Sequence, residues 1–457
     1  MEHLESTDTI CALSTAPGMG AIAIIRVSGS QSFSIVESVF SKKLADKTSH
    51  TAHFGRIVDD TDIVDEVLVT IFRNPASFTG EDSVEVACHG SVYIQKSILE
   101  LLIKNGARLA KPGEFSMRAF MNGKMDLSQT EAIADLISST SKSQHNVAIN
   151  QMRGGFSEDL KTLRQKLMDF ASLVELELDF SEEDVEFADR SQLENLVTEI
   201  KIAIQQLIAS FKLGNVIKNG VPVAIVGTPN SGKSTLLNAI LNEDKAIVSN
   251  IAGTTRDVIE DEIIIGDISY RFIDTAGIRS TEDEIESIGI KKAFEQVKKA
   301  DIVLLMIDLV DTTSEQIIKN INHFKGSNIQ SYQTLIPVFN KIDQVDLNDF
   351  KDLEGKGVFL AAKFKTNQKD LENALEEAVG SIRVEDQTIV TNTRHFEALT
   401  NAGEALTRVE EGLINQIPGD LLAMDIRQTL HHLGEITGNV SNDELLGNIF
   451  ANFCIGK

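Results

Sequence analysis

The chain has 457 residues, enough for roughly two to four domains, and its 42% hydrophobic and 24% charged residues are ordinary for a globular protein. No apolar run reaches the ~18 residues of a membrane span, and a net charge of −25 opposes non-specific binding to nucleic acid. Three cysteines, Cys11, Cys88 and Cys454, lie far apart, which excludes a disulfide framework or a metal spacing and points to a reducing cytoplasm. The polar, acidic start at Met1 to Glu5 is unlike a signal peptide.

The first unit is expected over residues 1–122, with mixed strands and helices. Residues 8–10 read as a short strand, Pro17-Gly18-Met19-Gly20 as a turn, and residues 21–27 as a strand carrying Arg26. Residues 31–40 look helical, 66–72 and 83–88 look like strands, and Ser77-Phe78-Thr79-Gly80-Glu81-Asp82 is a turn between the two. An amphipathic helix over 91–105 precedes Lys111-Pro112-Gly113-Glu114-Phe115. By residue type alone, Arg26, Glu85 and Lys124 read as surface charges.

From about Lys124 the pattern turns helical, over 127–143, 148–174 and 193–211, with an acidic connector at 175–189 that reads as a solvated face. Gly214 and Gly220 are expected to mark the start of another unit over 216–383. Helical pattern returns at 393–416 and 420–437. The simplest organisation is one helical domain, in two parts at 123–215 and 384–457, interrupted by an inserted unit. The lone Cys454 near the end reads as inert.

The inserted unit alternates strand and helix, which predicts a doubly wound parallel sheet with its ligand at the strand C-termini. Its key stretch is Gly227-Thr228-Pro229-Asn230-Ser231-Gly232-Lys233-Ser234, which fits G-x-x-x-x-G-K-[ST]. An apolar strand, Pro222 to Val226, precedes it, and a helix beginning with Thr235 follows. Backbone N–H groups of such a loop face the phosphates, Lys233 reaches the outer ones, and the Ser234 hydroxyl is placed for Mg²⁺. Asp274-Thr275-Ala276-Gly277 follows a strand, where the carboxylate holds Mg²⁺ through water and the glycine N–H meets the γ-phosphate. Asn340-Lys341-Ile342-Asp343 follows another strand. A carboxylate at Asp343 accepts from guanine N1–H and N2–H₂, which adenine lacks. Ala361-Ala362-Lys363 follows a third strand, where GTPases usually show Ser-Ala-Lys. In this order the motifs favour GTP over ATP.

Taken together, these stretches resemble the MnmE (TrmE) family of tRNA modification GTPases along the whole chain. The likeness includes Arg26-Val27-Ser28-Gly29, the Ser77 to Asp82 turn and Pro112-Gly113-Glu114-Phe115. It continues through Lys124-Met125-Asp126-Leu127, Ile251-Ala252-Gly253-Thr254-Thr255-Arg256-Asp257, and Phe453-Cys454-Ile455-Gly456-Lys457, and it implies GTP-binding roles for Ser249 to Thr255, Asn250 included. The resemblance implies a multidomain fold: an α+β folate-binding-like domain that also dimerises, an all-α helical domain and an inserted Ras-like α/β P-loop GTPase. It implies a cytoplasmic homodimer working with a flavin- and NADH-dependent partner, MnmG (GidA), in a heterotetramer without membrane contact. The implied reaction adds an aminomethyl or carboxymethylaminomethyl group to C5 of the wobble uridine of certain tRNAs.

The residues matching the family's folate pocket are Arg26, Glu85, Lys124 and Lys457. The implied ligand is a tetrahydrofolate derivative, 5-formyl- or 5,10-methylene-tetrahydrofolate. Ser234 and Thr255 match the Mg²⁺ ligands. Ile278 occupies the place where Ras-like enzymes often carry a water-orienting glutamine. The family instead uses K⁺, matched here by Asn230, Ser249, Ile251 and Thr254, and an acid matched by Glu286. Cys454 matches a cysteine of the terminal motif and is a candidate for chemistry. A GTP-dependent binding switch such as a ribosome-assembly factor is the rival reading, and a structural scaffold the third. The switch leaves the first unit and the terminal cysteine motif idle, and in the scaffold the GTPase only sets domain spacing.

Overall fold

The computed structural model describes residues 8–179, 190–241, 261–273, 297–310, 312–380, 388–441, 443–451, 453 and 456. Two compact units emerge, one of Met1–Ala134, Asn150–Ile204 and Ala398–Lys457, the other of Asp135–Ile149 and Gln205–Glu397.

The first unit holds a six-stranded sheet made of β1 (Ile10–Leu13), β2 (Ile22–Ser28), β3 (Thr51–Asp59), β4 (Asp62–Phe72), β5 (Ser83–His89) and β6 (Arg108–Leu109). Its order is β3-β4-β5-β2-β1-β6, and every pair is antiparallel except β1 with β6. The period-2 alternation of the strands decides the layers. Ala23, Ile25 and Val27 of β2 and Val84, Val86 and Cys88 of β5 face helices Ser32–Val39 and Val92–Lys104 in one buried cluster. Each fully buried valine or isoleucine there contributes about 1.5–3 kcal/mol. The residues between them, Ile24, Arg26, Glu85 and Ala87, therefore belong to the opposite face and are only partly buried.

Helices of the same unit follow. Helix Leu127–Ser138 is capped by Asp126, whose carboxylate accepts from the Gln129 N–H at 3.0 Å. Helix Gly155–Asp179 buries Phe156, Leu160, Leu163, Leu167, Phe170 and Val174, a stripe at helical spacing, and packs along Gly419–Thr437. The last helix, Asp443–Ala451, packs Leu446 and Phe450 against Met117, Phe120 and Leu127. The tail then returns to β1, where the Ser14 hydroxyl donates to the Gly456 carbonyl at 3.3 Å.

The second unit holds β7 (Val221–Gly227), β8 (Asp261–Ile265), β9 (Ile268–Phe272), β10 (Ile302–Asp308), β11 (Thr334–Asn340) and β12 (Val358–Leu360), in the order β12-β11-β10-β7-β9-β8. All pairs are parallel except β8 with β9. Both faces are covered. Val221, Val223 and Ile225 pack with Leu236, Leu237 and Ile240 of helix Lys233–Leu241 and with Leu371 and Leu375 of helix Gln368–Val379. Ala224, Val226, Val303 and Leu305 pack on the other side with Ile321 and Phe324 of helix Ser314–Asn328. Strands buried on both faces read as continuous apolar runs, as Ile302 to Met306 does.

Several boundaries differ from the sequence reading. The expected helix over 127–143 ends at Ser138, because the Gln144 side chain accepts from the Thr140 and Ser141 N–H groups and starts a new helix, Lys142–Met152. Gly214 does not mark a boundary: helix Arg190–Asn219 runs through it. A Cβ on Gly214 would sit 2.0 Å from the Val390 carbonyl oxygen, so the glycine serves close packing instead. Strands β3 and β6 were not expected. No described helix is long and apolar enough to cross a membrane.

Candidate functional site

The C-terminal ends of four parallel strands align: Gly227 with Met306, Asp308 with Asn340, and Asn340 with Leu360. The phosphate loop and the two predicted guanine loops begin at the ends of β7, β11 and β12, so chain topology gathers loops that are far apart in sequence. After β7 the loop Gly227 to Gly232 turns into helix Lys233–Leu241. Asn230 takes a left-handed conformation with φ 62°, and Ser231 is buried. The Lys233 ammonium donates to the Gly227 carbonyl at 2.9 Å and to the Thr228 carbonyl at 2.8 Å. Burial lowers its pKa, which favours an arriving anion as a partner. Ser234 and Thr235 are exposed in the first turn of that helix, where orphan N–H groups and the helix dipole favour phosphate.

Asn340 joins the loops. Its Nδ2 donates to the Ser231 carbonyl at 2.8 Å, and its Oδ1 accepts from the Ala362 N–H at 3.0 Å. One side chain thus ties the phosphate loop to both predicted guanine loops. Gly232 makes this possible: a Cβ there would lie 2.2 Å from Asn340 Nδ2, and its φ is 96°. Asp343 is exposed in the short 3₁₀ turn Ile342–Gln344, while Ala361 and Ala362 are buried. Lys363 is exposed, with its ammonium 5.4 Å from the centre of the Phe364 ring. The residues fit a purine nucleotide: backbone N–H groups at the start of helix Lys233–Leu241, a half-buried lysine, and the Asp343 carboxylate, which no described hydrogen bond or ion pair engages. The expected residues Ser249 to Thr255, Asp274 to Gly277, Glu286, Cys454 and Lys457 lie outside the described residues.

The first unit assembles a different site. Register places Arg26 of β2 directly opposite Glu85 of β5. Arg26 Nε and Nη2 both donate to Glu85 Oε1, at 3.0 and 2.9 Å. The guanidinium lies 5.0 Å from the Phe78 ring centre and 5.7 Å from that of Phe115. These rings come from the Ser77 to Asp82 turn and from Gly113-Glu114-Phe115, stretches noted in the sequence without a role for either phenylalanine. The turn is held from beneath. Buried Thr79 shares a hydrogen bond of 2.7 Å with Ser28, and Arg118 pairs with Glu81, Glu114 and Asp8. Arg26 and Glu85 are therefore not lone surface charges. Arg26 Nη1 and Glu85 Oε2 stay outside their pair, so the platform can still give one donor edge and one acceptor to a ligand. Lys124 lies with its stem against Gly80 of the same turn, its ammonium donating to the Pro75 carbonyl at 2.9 Å.

Cys11 and Cys88 are buried, and burial pushes both thiols up to about 11, so neither is a nucleophile at neutral pH.

Comparison with known proteins is consistent along the chain. The MnmE helical-domain family model matches residues 127–454, and the model for the N-terminus of the GTP-binding protein TrmE matches residues 9–124. The tRNA modification GTPase MnmE of Cytophaga hutchinsonii is 53% identical over 456 residues, 99% of this chain and 98% of its own. That of Flavobacterium psychrophilum is 51% identical over 459 residues, 98% of this chain and 99% of its own. Among solved structures, the G domain of the T. maritima FeoB iron transporter is 24% identical over 35% of this chain, with a TM-score of 0.26. A phosphate cradle on a parallel sheet, a separate α+β unit with its own charged platform, and half-identity over nearly the full length agree: the chain belongs to the MnmE family of tRNA modification GTPases.

Proposed function

We propose that this GTPase acts with an MnmG (GidA) partner to add an aminomethyl or carboxymethylaminomethyl group to C5 of the wobble uridine of certain tRNAs. It does so as a cytoplasmic homodimer within a heterotetramer. The division of labour follows the expected domains: 1–122 binds a tetrahydrofolate derivative, 216–383 binds and hydrolyses GTP, and the helical parts 123–215 and 384–457 join them. The observation that carries this reading is the Arg26–Glu85 pair under Phe78 and Phe115, in a chain that also holds a GTP cradle. A switch that only senses GTP has no need of that platform.

In the GTP unit, backbone N–H groups of 230–235 and Lys233 bind the phosphates, and Asp274 to Gly277 follow γ-phosphate chemistry. Asn340, Lys341, Asp343, Ala361, Ala362 and Lys363 hold the base. Ser234 and Thr255 would hold Mg²⁺, and Asn230, Ser249, Ile251 and Thr254 would hold K⁺. Bound there, the cations neutralise charge developing between the β- and γ-phosphates. Glu286 orients the attacking water through a second water. In the other unit a folate carboxylate or pterin edge meets Arg26, Glu85, Lys124 and Lys457, and when bound the folate supplies a one-carbon group. Cys454 is the candidate reactive thiol, since Cys11 and Cys88 are held protonated.

Nucleoside analysis of tRNA from a deletion strain tests this. Wobble uridines lacking the C5 group, restored by the wild-type gene and not by an Arg26→Ala copy, are expected. Unchanged wobble uridines would overturn it.

A further inference from the structure

We propose that Asp308 is a positioning residue for guanine recognition: it holds the Lys341 ammonium so that the cation cannot neutralise Asp343. This rests on the guanine site proposed above and adds a residue to it.

Asp308 ends β10 and stands in register with Asn340, the last residue of β11. Its Oδ2 pairs with the Lys341 ammonium, and its Oδ1 accepts from the Val310 N–H at 3.0 Å. The pair is well shielded, with side-chain exposures of 16% for Asp308 and 27% for Lys341. Lys341 itself sits in the left-handed region, φ 68° and ψ 36°, which costs a non-glycine residue roughly 1 kcal/mol or more. That turn sends the chain at once into the 3₁₀ segment bearing Asp343. Asp343 is exposed, and no described hydrogen bond or ion pair engages its carboxylate.

Two opposite charges thus lie two residues apart, one of them on a flexible four-carbon stem. Without another partner, Lys341 and Asp343 would pair with each other, and guanine N1–H and N2–H₂ would have to compete with an ammonium for the same oxygens. Asp308 removes that competition. It also aligns the lysine stem along the strand ends, where apolar methylenes can cover the face of a base. The specificity of the site then depends on a carboxylate that never touches the nucleotide.

Equilibrium competition with a fluorescent GDP on the full-length chain tests this, using GTP and ITP, which lacks the exocyclic amine. Asp308→Asn keeps the oxygen that accepts from Val310 and removes the charge. It is expected to weaken GTP about ten-fold, the scale of one charge-assisted contact, and ITP less, so that the GTP-over-ITP preference narrows. Lys341→Met keeps the stem and removes the cation. In that background Asp308→Asn is expected to change GTP affinity less than about two-fold, because the two residues act as one unit. Equal losses in both backgrounds, or an unchanged GTP-over-ITP ratio in Asp308→Asn, would overturn the proposal. If Asp308→Asn does not fold, Asp308→Thr decides in its place: a narrowed GTP-over-ITP ratio supports the role of Asp308, and a ratio kept near wild type refutes it. Asp343→Asn separates this from the underlying site. A shift from GTP toward XTP upholds the guanine site, and undiminished GTP affinity removes the site itself.

Discussion

Among the described residues the two sheets have six strands each, and they build their sites in opposite ways. The GTP-binding sheet is mainly parallel and covered on both faces, so its described site lies at the strand ends. Its functional residues are local runs in the loops that leave those ends. The first sheet is mainly antiparallel, with helices on one face, and its site lies across neighbouring strands. Arg26 and Glu85 are 59 residues apart and meet only because β2 and β5 pair in one register. Sites on loops can be read from short motifs. A site on a sheet face depends on which strands become neighbours.

If the two sites are separate devices, each can be broken alone. Gly232→Ala gives the largest expected effect. The new Cβ would occupy the space of Asn340 Nδ2 and strain a backbone at φ 96°. Nucleotide affinity should fall about 100-fold, the scale of a few kcal/mol of strain plus a lost buried hydrogen bond. Binding of 5-formyl-tetrahydrofolate should not change. Loss of both ligands in parallel titrations would break the comparison.

The reciprocal change is Arg26→Ala. It removes the guanidinium from Glu85 and from two aromatic rings, and should weaken the same folate by about 1–3 kcal/mol in titration calorimetry. GTP affinity should stay at the wild-type value. Equal folate binding by wild type and variant would defeat the platform as a ligand site.

A third test sharpens the GTP side. Hydrolysis should run about ten-fold faster in KCl than in matched NaCl, the scale of one charge-assisted contact at the transition state. Asn230→Ala should erase the difference. The motive is Ile278 where a water-orienting glutamine often stands, with Asn230 held in a left-handed turn of the phosphate loop. Equal rates in the two salts for the wild type would remove K⁺ from the mechanism.

The smallest effect concerns the core of the first sheet. Burial raises the Cys11 thiol from 9.0 to about 11, so the folded state holds this proton more tightly than the unfolded chain does. Its contribution is fully present below pH 9 and is lost as pH rises toward 11. By pH 10 the loss is about 1 kcal/mol. Thermal melts at pH 8 and pH 10 should show a smaller drop for Cys11→Ala than for wild type. Identical drops would show that the thiol does not titrate in this range.

Much of the GTP-binding unit was legible because its chemistry is local. Phosphate needs a run of backbone donors, a lysine and a hydroxyl within eight residues, and guanine needs a carboxylate three residues after an asparagine. The apolar run Pro222 to Val226 also announced a strand covered on both faces, whereas Ile302 to Met306, equally apolar, went unread. The helix expected over 420–437 stands at Gly419–Thr437, while the one expected over 148–174 is split, its first residues closing helix Lys142–Met152 and the rest forming Gly155–Asp179. Less legible was β3, where Gly55 and mixed polarity blur the alternation, and the helix through Gly214, because a glycine that permits close packing looks like one that ends a helix.

By itself the sequence determined which residues could carry the chemistry, because side-chain type and short spacing set what a loop can bind. Only the tertiary structure decided who their partners are. It set Arg26 against Glu85 under Phe78 and Phe115, gave Asn340 both the phosphate loop and Ala362, and gave Lys341 to Asp308. The physical reason is strand pairing: hydrogen-bond register across a sheet brings distant residues to within 3 Å, and no local pattern in the chain encodes which strand lies beside which.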